Sequence, residues 1–279
     1  MSSLSRVSTD QKLIEMWLHG RPVSTQKEYR RDIQAFLVFV NKELQECRLE
    51  DLQAYSTFWD ERGIKATTKK RKLNVVKSLF TFATKLNYIR FNVAAALKMP
   101  KGDVSLAGRI LRQTEVLKLV NCPKLSVRDR CFLRLVYATG VRVSEACRLK
   151  WNDFQERDSG VVQVTVLGKG EKLRTVLVPI AVWMELEQLR GHECVFVGAT
   201  GNAIDRVMAH KIIKNAALES GVNSKVSLHW LRHAHCQHAL SRGAPIHLVR
   251  TTMGHSSIAI TDRYLESNPE DSSSNYLGM

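Results

Sequence analysis

The sequence lacks the long apolar runs of a membrane protein. One of its longest apolar stretches, residues 35–40, is far shorter than the roughly 20 residues that a membrane-spanning helix needs. The opening residues, MSSLSRVS, contain no apolar segment of the kind that signal peptides carry. We therefore expect a chain that is neither exported nor embedded in a membrane.

Paired cysteines are also missing. The six cysteines are scattered, and no two of them form a Cys-x-x-Cys pair. This distribution argues against a zinc ribbon and against a disulfide framework, and it is typical of reduced thiols in a cytosol. The 279 residues, 44% apolar and 25% charged, suffice for a substantial core and favour two domains.

Acidic residues are scarce relative to basic ones. The chain carries 42 Lys and Arg against 27 Asp and Glu, a net charge of +15, which favours a polyanionic partner such as nucleic acid. Residues 55–101 hold eleven basic side chains and two acidic ones. The densest part of this block consists of Lys69, Lys70, Arg71 and Lys72. We interpret it as a DNA-binding helix start, with a solvated helix face as the alternative.

Apolar periodicity predicts a mainly α protein with a small antiparallel β-sheet. We predict a helical domain over residues 1–98, a linker over 99–108 and an α+β domain over 109–279. The first predicted helix has an apolar face of Leu13, Trp17 and Leu18. The next six cover residues 25–40, 49–62, 69–87, 93–97, 114–120 and 127–138, and helices dominate again from 180 to about 266. Thr25 is the expected cap of the second helix, the pair Thr67 and Thr68 caps the fourth, and Gly140 ends the seventh. The β-branched segments 161–167 and 174–179 flank a glycine-rich turn and predict a hairpin.

Four short motifs in the second domain carry chemically useful side chains. TGVRVSE at 139–145 places an arginine after a helix-ending glycine, and GKG at 168–170 places a lysine at the hairpin tip. HWLRH at 229–233 puts a histidine and an arginine on one face of a helix start. GH at 254–255 is followed nine residues later by Tyr264.

Each motif has an ordinary explanation when it is taken alone. Arg142 is able to pair with Glu145 at the surface, Lys169 fits common turn chemistry, and Tyr264 fits amphipathic packing. Together the motifs supply two arginines, a lysine, two histidines and a tyrosine, a set suited to phosphoryl transfer without a metal. Guanidinium groups match the charged nonbridging oxygens of the transition state, and they assist a tyrosine hydroxyl that is otherwise a weak nucleophile.

The four motifs, in this order and spacing, resemble those of the tyrosine recombinase family, which includes phage integrases and Xer-like proteins. The resemblance covers residues 9–266. It implies that the first domain is a helical, SAM-like core-binding domain and the second a tyrosine recombinase catalytic domain.

The resemblance also implies roles for individual residues. Tyr264 is implied as the nucleophile, Arg142 and Arg232 as the clamp on the scissile phosphate, and His255 as a further phosphate donor. His229 is implied in acid–base chemistry or phosphate contact.

Two further residues complete the implied site. Lys169 is implied as the general acid that protonates the leaving 5′ oxygen. Glu145 is implied to hold Arg142 in place without contacting the phosphate itself. We call the motif at 139–145, which contains both residues, the arginine box.

The expected activity is site-specific recombination, in which DNA strands are cleaved and rejoined through a 3′-phosphotyrosine for integration, excision or resolution. No cofactor is expected, since one phosphodiester is exchanged for another of similar energy. The resemblance implies double-stranded DNA as partner and a homotetramer on paired sites. We expect a cytoplasmic, nucleoid-associated protein of bacterial type.

Three alternatives remain open at this point. A type IB topoisomerase-like enzyme shares the nucleophile chemistry but rejoins the same strand. A catalytically silent DNA-binding protein shares the scaffold. A zinc site is conceivable at His229, His233, His235 and His238, although Trp230 stands where a metalloprotease motif needs glutamate.

Overall fold

The described residues form two large hydrophobic cores and one small cluster of Cys236, Val249 and Met253. The computed structural model describes residues 8–100, 110–168 and 172–254. The chain divides into two compact units, Met1–Val104 and Ser105–Met279. The mainly α fold class with a small antiparallel sheet is confirmed, and the domain boundaries at 98 and 108 stay a prediction.

The first unit is built from four α-helices and a short 3₁₀ helix among its described residues. They are α1 (Asp10–Leu18), α2 (Val23–Val40), α3 (Leu49–Glu61), α4 (Ala66–Lys85) and the 3₁₀ helix Val93–Ala96. Their apolar faces meet in an aromatic core, in which Phe36 packs edge-on against both Tyr55 and Phe80. Burial of such rings is the main favourable term in folding a unit of this size.

Two predicted helix caps of this unit are wrong. Helix α2 begins at Val23 after Pro22, so Thr25 lies inside the helix. Helix α4 begins at Ala66 after Lys65, so the pair Thr67 and Thr68 lies in its first turn. Both residues that precede the helices have φ near −55° and ψ near 140°, an extended conformation that starts a helix without a side-chain cap.

The second unit wraps helices around a three-stranded antiparallel sheet. The elements are α5 (Gln113–Val120), α6 (Val127–Thr139), α7 (Val143–Ala146), β1 (Phe154–Glu156), β2 (Val162–Leu167), β3 (Leu173–Val178), α8 (Ile180–Glu187), α9 (Arg206–Ser220), α10 (Leu228–Ser241) and α11 (Ile246–Met253). A 3₁₀ turn at Trp151–Asp153 precedes β1. Strand β2 is central, with Val164 opposite Val176 of β3 and Phe154 of β1.

Helix α6 lies in the core of this unit. Phe132, Leu133, Leu135 and Val136 are fully buried, and α6 packs against α5, α8, α10 and the sheet. The predicted helix ended at residue 138, and Gly140 caps it in the left-handed conformation (φ 61°). The chain leaves α6 at this glycine, and the arginine motif follows directly. Within the described ranges, no helix has the length and apolarity needed to span a bilayer.

Candidate active site

The arginine box is shaped by a glycine and a glutamate. After Gly140, the buried Val141 anchors the chain and Arg142 caps the short helix α7. Glu145, in the first turn of α7, accepts the backbone N–H of Arg142 on Oε2 at 2.7 Å and its guanidinium Nη1 on Oε1 at 2.9 Å. Because the two residues are three apart, Glu145 binds Arg142 twice, through its backbone N–H and through its side chain.

A second arginine also binds Glu145. Arg174 of β3 donates Nη1 to Oε1 at 3.0 Å and Nη2 to Oε2 at 2.7 Å, a bidentate geometry. Burial acts to raise the pKa of Glu145, but the hydrogen bonds from Arg174 and Arg142 outweigh it and lower the pKa to about 2. Glu145 is therefore an anion at any physiological pH.

Arg232, on α10, binds the end of α11. Its side chain is buried, with Nη1 donating to the carbonyl oxygen of Gly140 and Nη2 to that of Met253. Arg142 donates Nη2 to the next carbonyl, Gly254 O, at 2.8 Å. The structure therefore brings the two predicted phosphate-clamp arginines onto adjacent carbonyl groups.

The last turn of α11 consequently receives three arginines on three successive carbonyls. Arg174 Nε donates to Thr252 O at 2.9 Å, beside the bonds to Met253 O and Gly254 O. Free carbonyls at a helix C-terminus carry partial negative charge, and cations there are favourable. This turn, which leads directly to His255, is fixed by the same side chains that form the arginine cluster.

The sequence matches known families in both units. Residues 109–271 match the model of the phage integrase family, and residues 19–87 match that of the SAM-like N-terminal domain of phage integrases. Tyrosine recombinase XerC of Xanthomonas campestris pv. campestris (strain B100) is 32% identical over 249 residues, 85% of this chain and 76% of the relative. XerC of Mycobacterium bovis (strain BCG / Pasteur 1173P2) is 30% identical over 267 residues, 88% of each chain.

The chain belongs to the phage integrase family.

This assignment confirms the predicted family, the predicted enzyme class and the predicted activity of a tyrosine-type site-specific DNA recombinase. The topoisomerase-like and catalytically silent alternatives are not favoured.

Solved structures show the same fold for this recombinase. A lambda integrase (75-356) dimer bound to a COC′ core site superposes with a TM-score of 0.77 at 19% identity, covering 95% of this chain and 98% of the other. XerH bound to palindromic difH substrate superposes with a TM-score of 0.74 at 20% identity, covering 95% and 83%. At these identities the likeness concerns the fold alone.

The histidines of α10 in the recombinase fall into two groups. His229 is exposed on the first turn, and its ring lies edge-on to His233 with centroids 4.2 Å apart. His235 Nδ1 donates to Tyr137 O at 2.8 Å, and His238 Nδ1 lies 2.9 Å from the Tyr137 hydroxyl. Burial lowers the pKa of both His235 and His238. Across the part of the chain that the structure describes, no cluster of three or more His, Cys, Asp or Glu side chains is arranged to hold a metal ion.

Three predicted site residues lie outside the described residues of the recombinase: Lys169, His255 and Tyr264. Arg142, Glu145, His229 and Arg232 lie within them, and the structure joins three of these four around the end of α11. His229 sits one turn before Arg232 on α10. Their catalytic roles stay predictions.

The predicted DNA-binding residues of α4 differ in accessibility. Lys69 is buried and pairs with Asp60 at 2.6 Å. Arg71 and Lys72 both pair with Asp32, which is 1% exposed, and Lys72 also lies over the Trp59 ring. Lys70 is exposed, with no ion pair among the described residues. Three of the four charges are therefore partly balanced by acids from other helices.

Arg174 is the site residue that sequence reasoning missed. The signal was strand alternation, since Arg174, Val176 and Val178 occupy one face of β3 and the two valines are buried. An arginine on the buried face of a strand needs a buried acid. Glu145 is that acid.

Proposed function

We propose that this recombinase breaks and rejoins double-stranded DNA at a specific site, with Tyr264 as nucleophile and with Arg142 and Arg232 holding the scissile phosphate. The observation that carries the proposal is the convergence of Arg142 and Arg232 on the adjacent carbonyls of Met253 and Gly254. Two guanidinium groups side by side match the two nonbridging oxygens of a phosphodiester.

The reaction exchanges one phosphodiester for another. The Tyr264 hydroxyl oxygen attacks phosphorus and loses its proton, a 3′-phosphotyrosine bond forms, and the bond to the 5′ oxygen breaks. Lys169 gives that oxygen its proton, so a free 5′ hydroxyl leaves. Attack by the 5′ hydroxyl of a partner strand reverses the sequence and restores Tyr264.

Charge develops on the phosphate oxygens during attack. Arg142 and Arg232 stabilise that charge without moving, since both are already held by carbonyl bonds, and such fixed donors are the most effective catalytic groups. His255 follows directly on the fixed turn and is a further donor. His229, exposed at the start of α10, contacts the phosphate or relays the nucleophile's proton.

The active assembly is a homotetramer on two paired DNA sites. Support comes from solved structures of relatives in fold, a lambda integrase dimer bound to a core site and a lambda integrase tetramer bound to a Holliday junction. The basic block of residues 55–101 supplies phosphate contacts from the first unit. The protein works in the bacterial cytoplasm on nucleoid DNA.

Trapped adducts test the proposed function. The full chain and its Tyr264→Phe variant are expressed in bacterial cells, lysed in denaturant, and the DNA that stays attached to the protein is sequenced. We expect the unchanged chain to enrich one short sequence. The variant yields no adduct but still retains that sequence in native pull-downs, because only the attacking oxygen is lost. Equal adduct from both proteins, or binding lost together with cleavage, contradicts the assignment.

A plasmid assay separates recombination from relaxation. Two plasmids that carry the recovered sequence exchange strands if the activity is recombination. Relaxation of supercoils without exchange would instead indicate the topoisomerase-like reaction.

A further inference from the structure

Glu145 is saturated by two arginines. Each of its carboxylate oxygens accepts one bond from Arg142 and one from Arg174. The side chain of Glu145 is 4% exposed and that of Arg174 is 10% exposed, whereas that of Arg142 is 32% exposed. The carboxylate and Arg174 thus lie behind Arg142, which alone of the three opens toward solvent.

Arg174 also contacts the turn that ends α11. Its Nε donates to Thr252 O, and its side chain lies against Gly254. A Cβ at Gly254 would stand 3.1–3.2 Å from Cδ, Nε and Nη1 of Arg174, closer than ordinary contact. Gly254 also has φ 59°, a left-handed conformation that glycine adopts most readily. The glycine before His255 is therefore packed on this arginine.

We propose that Arg174 is a positioning residue for the recombination reaction: through Glu145 it leaves Arg142 a full positive charge for the phosphate, and through Thr252 it sets the turn before His255. The proposal rests on the proposed function of Arg142. Arg174 need not contact DNA for this role.

The net charge around Glu145 is the physical reason why Arg174 matters for Arg142. With both arginines present, the group formed by Arg142, Glu145 and Arg174 has a net charge of +1, which is available to an incoming phosphate. Without Arg174, the buried carboxylate and Arg142 form a neutral pair. A buried carboxylate then draws the Arg142 guanidinium inward, because an uncompensated buried charge is costly. In the described part of the chain, Arg142 and Arg174 are the charged groups in contact with Glu145.

A double variant distinguishes this charge effect from simple structural support. Replacing Arg174 with Met leaves the net charge at zero, and the further replacement of Glu145 with Gln returns it to +1. We therefore expect Arg174→Met to cleave slower by about 10 to 100 fold, part of the hundredfold or greater effect of losing a direct donor. The double variant Glu145→Gln/Arg174→Met should cleave faster than Arg174→Met alone. Arg174→Lys, which keeps the charge, should lose less than Arg174→Met.

Arg134 provides a matched control. Its Nε donates to Val120 O and its Nη1 pairs with Glu185, so it too joins a carbonyl to a glutamate. It makes no contact with Glu145. Arg134→Met should lower the melting temperature but keep the cleavage rate within about twofold of the unchanged chain.

The assay is single-turnover cleavage of a duplex oligonucleotide that carries the sequence recovered from trapped adducts, with a nick that traps the phosphotyrosine. Filter binding of the same duplex reports folding, and all variants should bind it within a few fold. The proposal is overturned if Arg174→Met cleaves at the normal rate. It is also overturned if the double variant is slower than Arg174→Met. That result would mean that both side chains act only as structural supports, because the effects of losing two such supports on the cleavage rate add. Failure of the proposed function is a separate outcome, in which the unchanged chain forms no adduct on this duplex.

Discussion

The buried carboxylate of Glu145 makes the stability of the second unit depend on pH. Its pKa in the folded chain is about 2, against an ordinary value of 4.5. A pKa lowered by folding stabilises the fold above the ordinary value, and this stabilisation is lost as the pH falls through the folded value. At about 1.36 kcal/mol per unit of pKa change, the carboxylate contributes about 3 kcal/mol at pH 7 and roughly half of that at pH 3.

Glu145→Gln removes the titrating group and keeps the shape. We expect the difference in free energy of unfolding between the unchanged chain and the variant to be about 3 kcal/mol at pH 7 and to shrink by about half at pH 3. Urea titrations followed by ¹⁹F resonances of 5-fluorotryptophan measure the two units separately. Trp183 reports the second unit and Trp17, in the core of the first unit, is the internal control.

A difference that stays the same from pH 7 to pH 3 would refute the reasoning, since the folded state would then not favour the ionised carboxylate. Glu193→Gln is the matched control. Glu193 pairs with Lys150 at 2.8 Å, but both side chains are at least half exposed, so solvent screens the pair. Its loss should change stability little at either pH.

Three further outcomes follow from the proposed site. Arg232→Ala should slow single-turnover cleavage by a factor of about 10² or more, since it removes a phosphate donor, and a normal rate would exclude that role. Lys169→Ala should be severely slow on normal DNA and largely rescued by a bridging 5′ sulfur, because a thiolate leaves without a proton. Lys172→Ala should show neither effect, and the reverse pattern would exchange the two assignments. Lys70→Ala should reduce the log–log salt slope of DNA binding by roughly 0.9, whereas Lys69→Ala, whose ammonium group is buried against Asp60, should leave the slope unchanged.

The helices and the hairpin were predictable because their apolar residues repeat with helical or strand periodicity. The starts of α2 and α4 were not, since Pro22 and Lys65 begin these helices by backbone conformation and not by a side-chain cap. Strand β1 was missed because three residues carry too little pattern. Phe154–Glu156 becomes a strand because it pairs with β2, a tertiary interaction.

The pairing of Arg142 with Glu145 was predictable from the sequence, whereas the contact of Arg174 with this pair was not. Arg142 and Glu145 are three residues apart, so local geometry brings them together. Arg174 is 29 residues from Glu145 in the chain, and a local sequence pattern does not predict a contact over that separation. The same limit applies to α4, where Asp32 neutralises Arg71 from another helix, 39 residues away. Charge density alone therefore overstates how much unbalanced positive charge residues 69–72 present.

Gly140 was predicted only as a helix end, yet the structure gives it a second constraint. Its φ is 61°, and a Cβ there would stand 2.7 Å from His235 Cδ2 and from Met253 Sδ. Its carbonyl oxygen also accepts a bond from Arg232. Any side chain at this position must displace the His235 ring and the Met253 side chain.

Gly140→Ala therefore combines two costs. Left-handed strain for an L residue is about 1 kcal/mol, and overpacking of a dense core adds about 1–3 kcal/mol. Gly221 is the matched control, since it caps α9 at φ 68° with nothing within 4 Å of a built Cβ. Gly221→Ala should cost about 1 kcal/mol and leave cleavage unchanged. Gly140→Ala should cost about 2–4 kcal/mol and slow cleavage, because the crowding around the new methyl group displaces the backbone carbonyl that anchors Arg232. The urea and single-turnover assays measure both variants, and equal costs for the two glycines would mean that the contacts with His235 and Met253 relax freely.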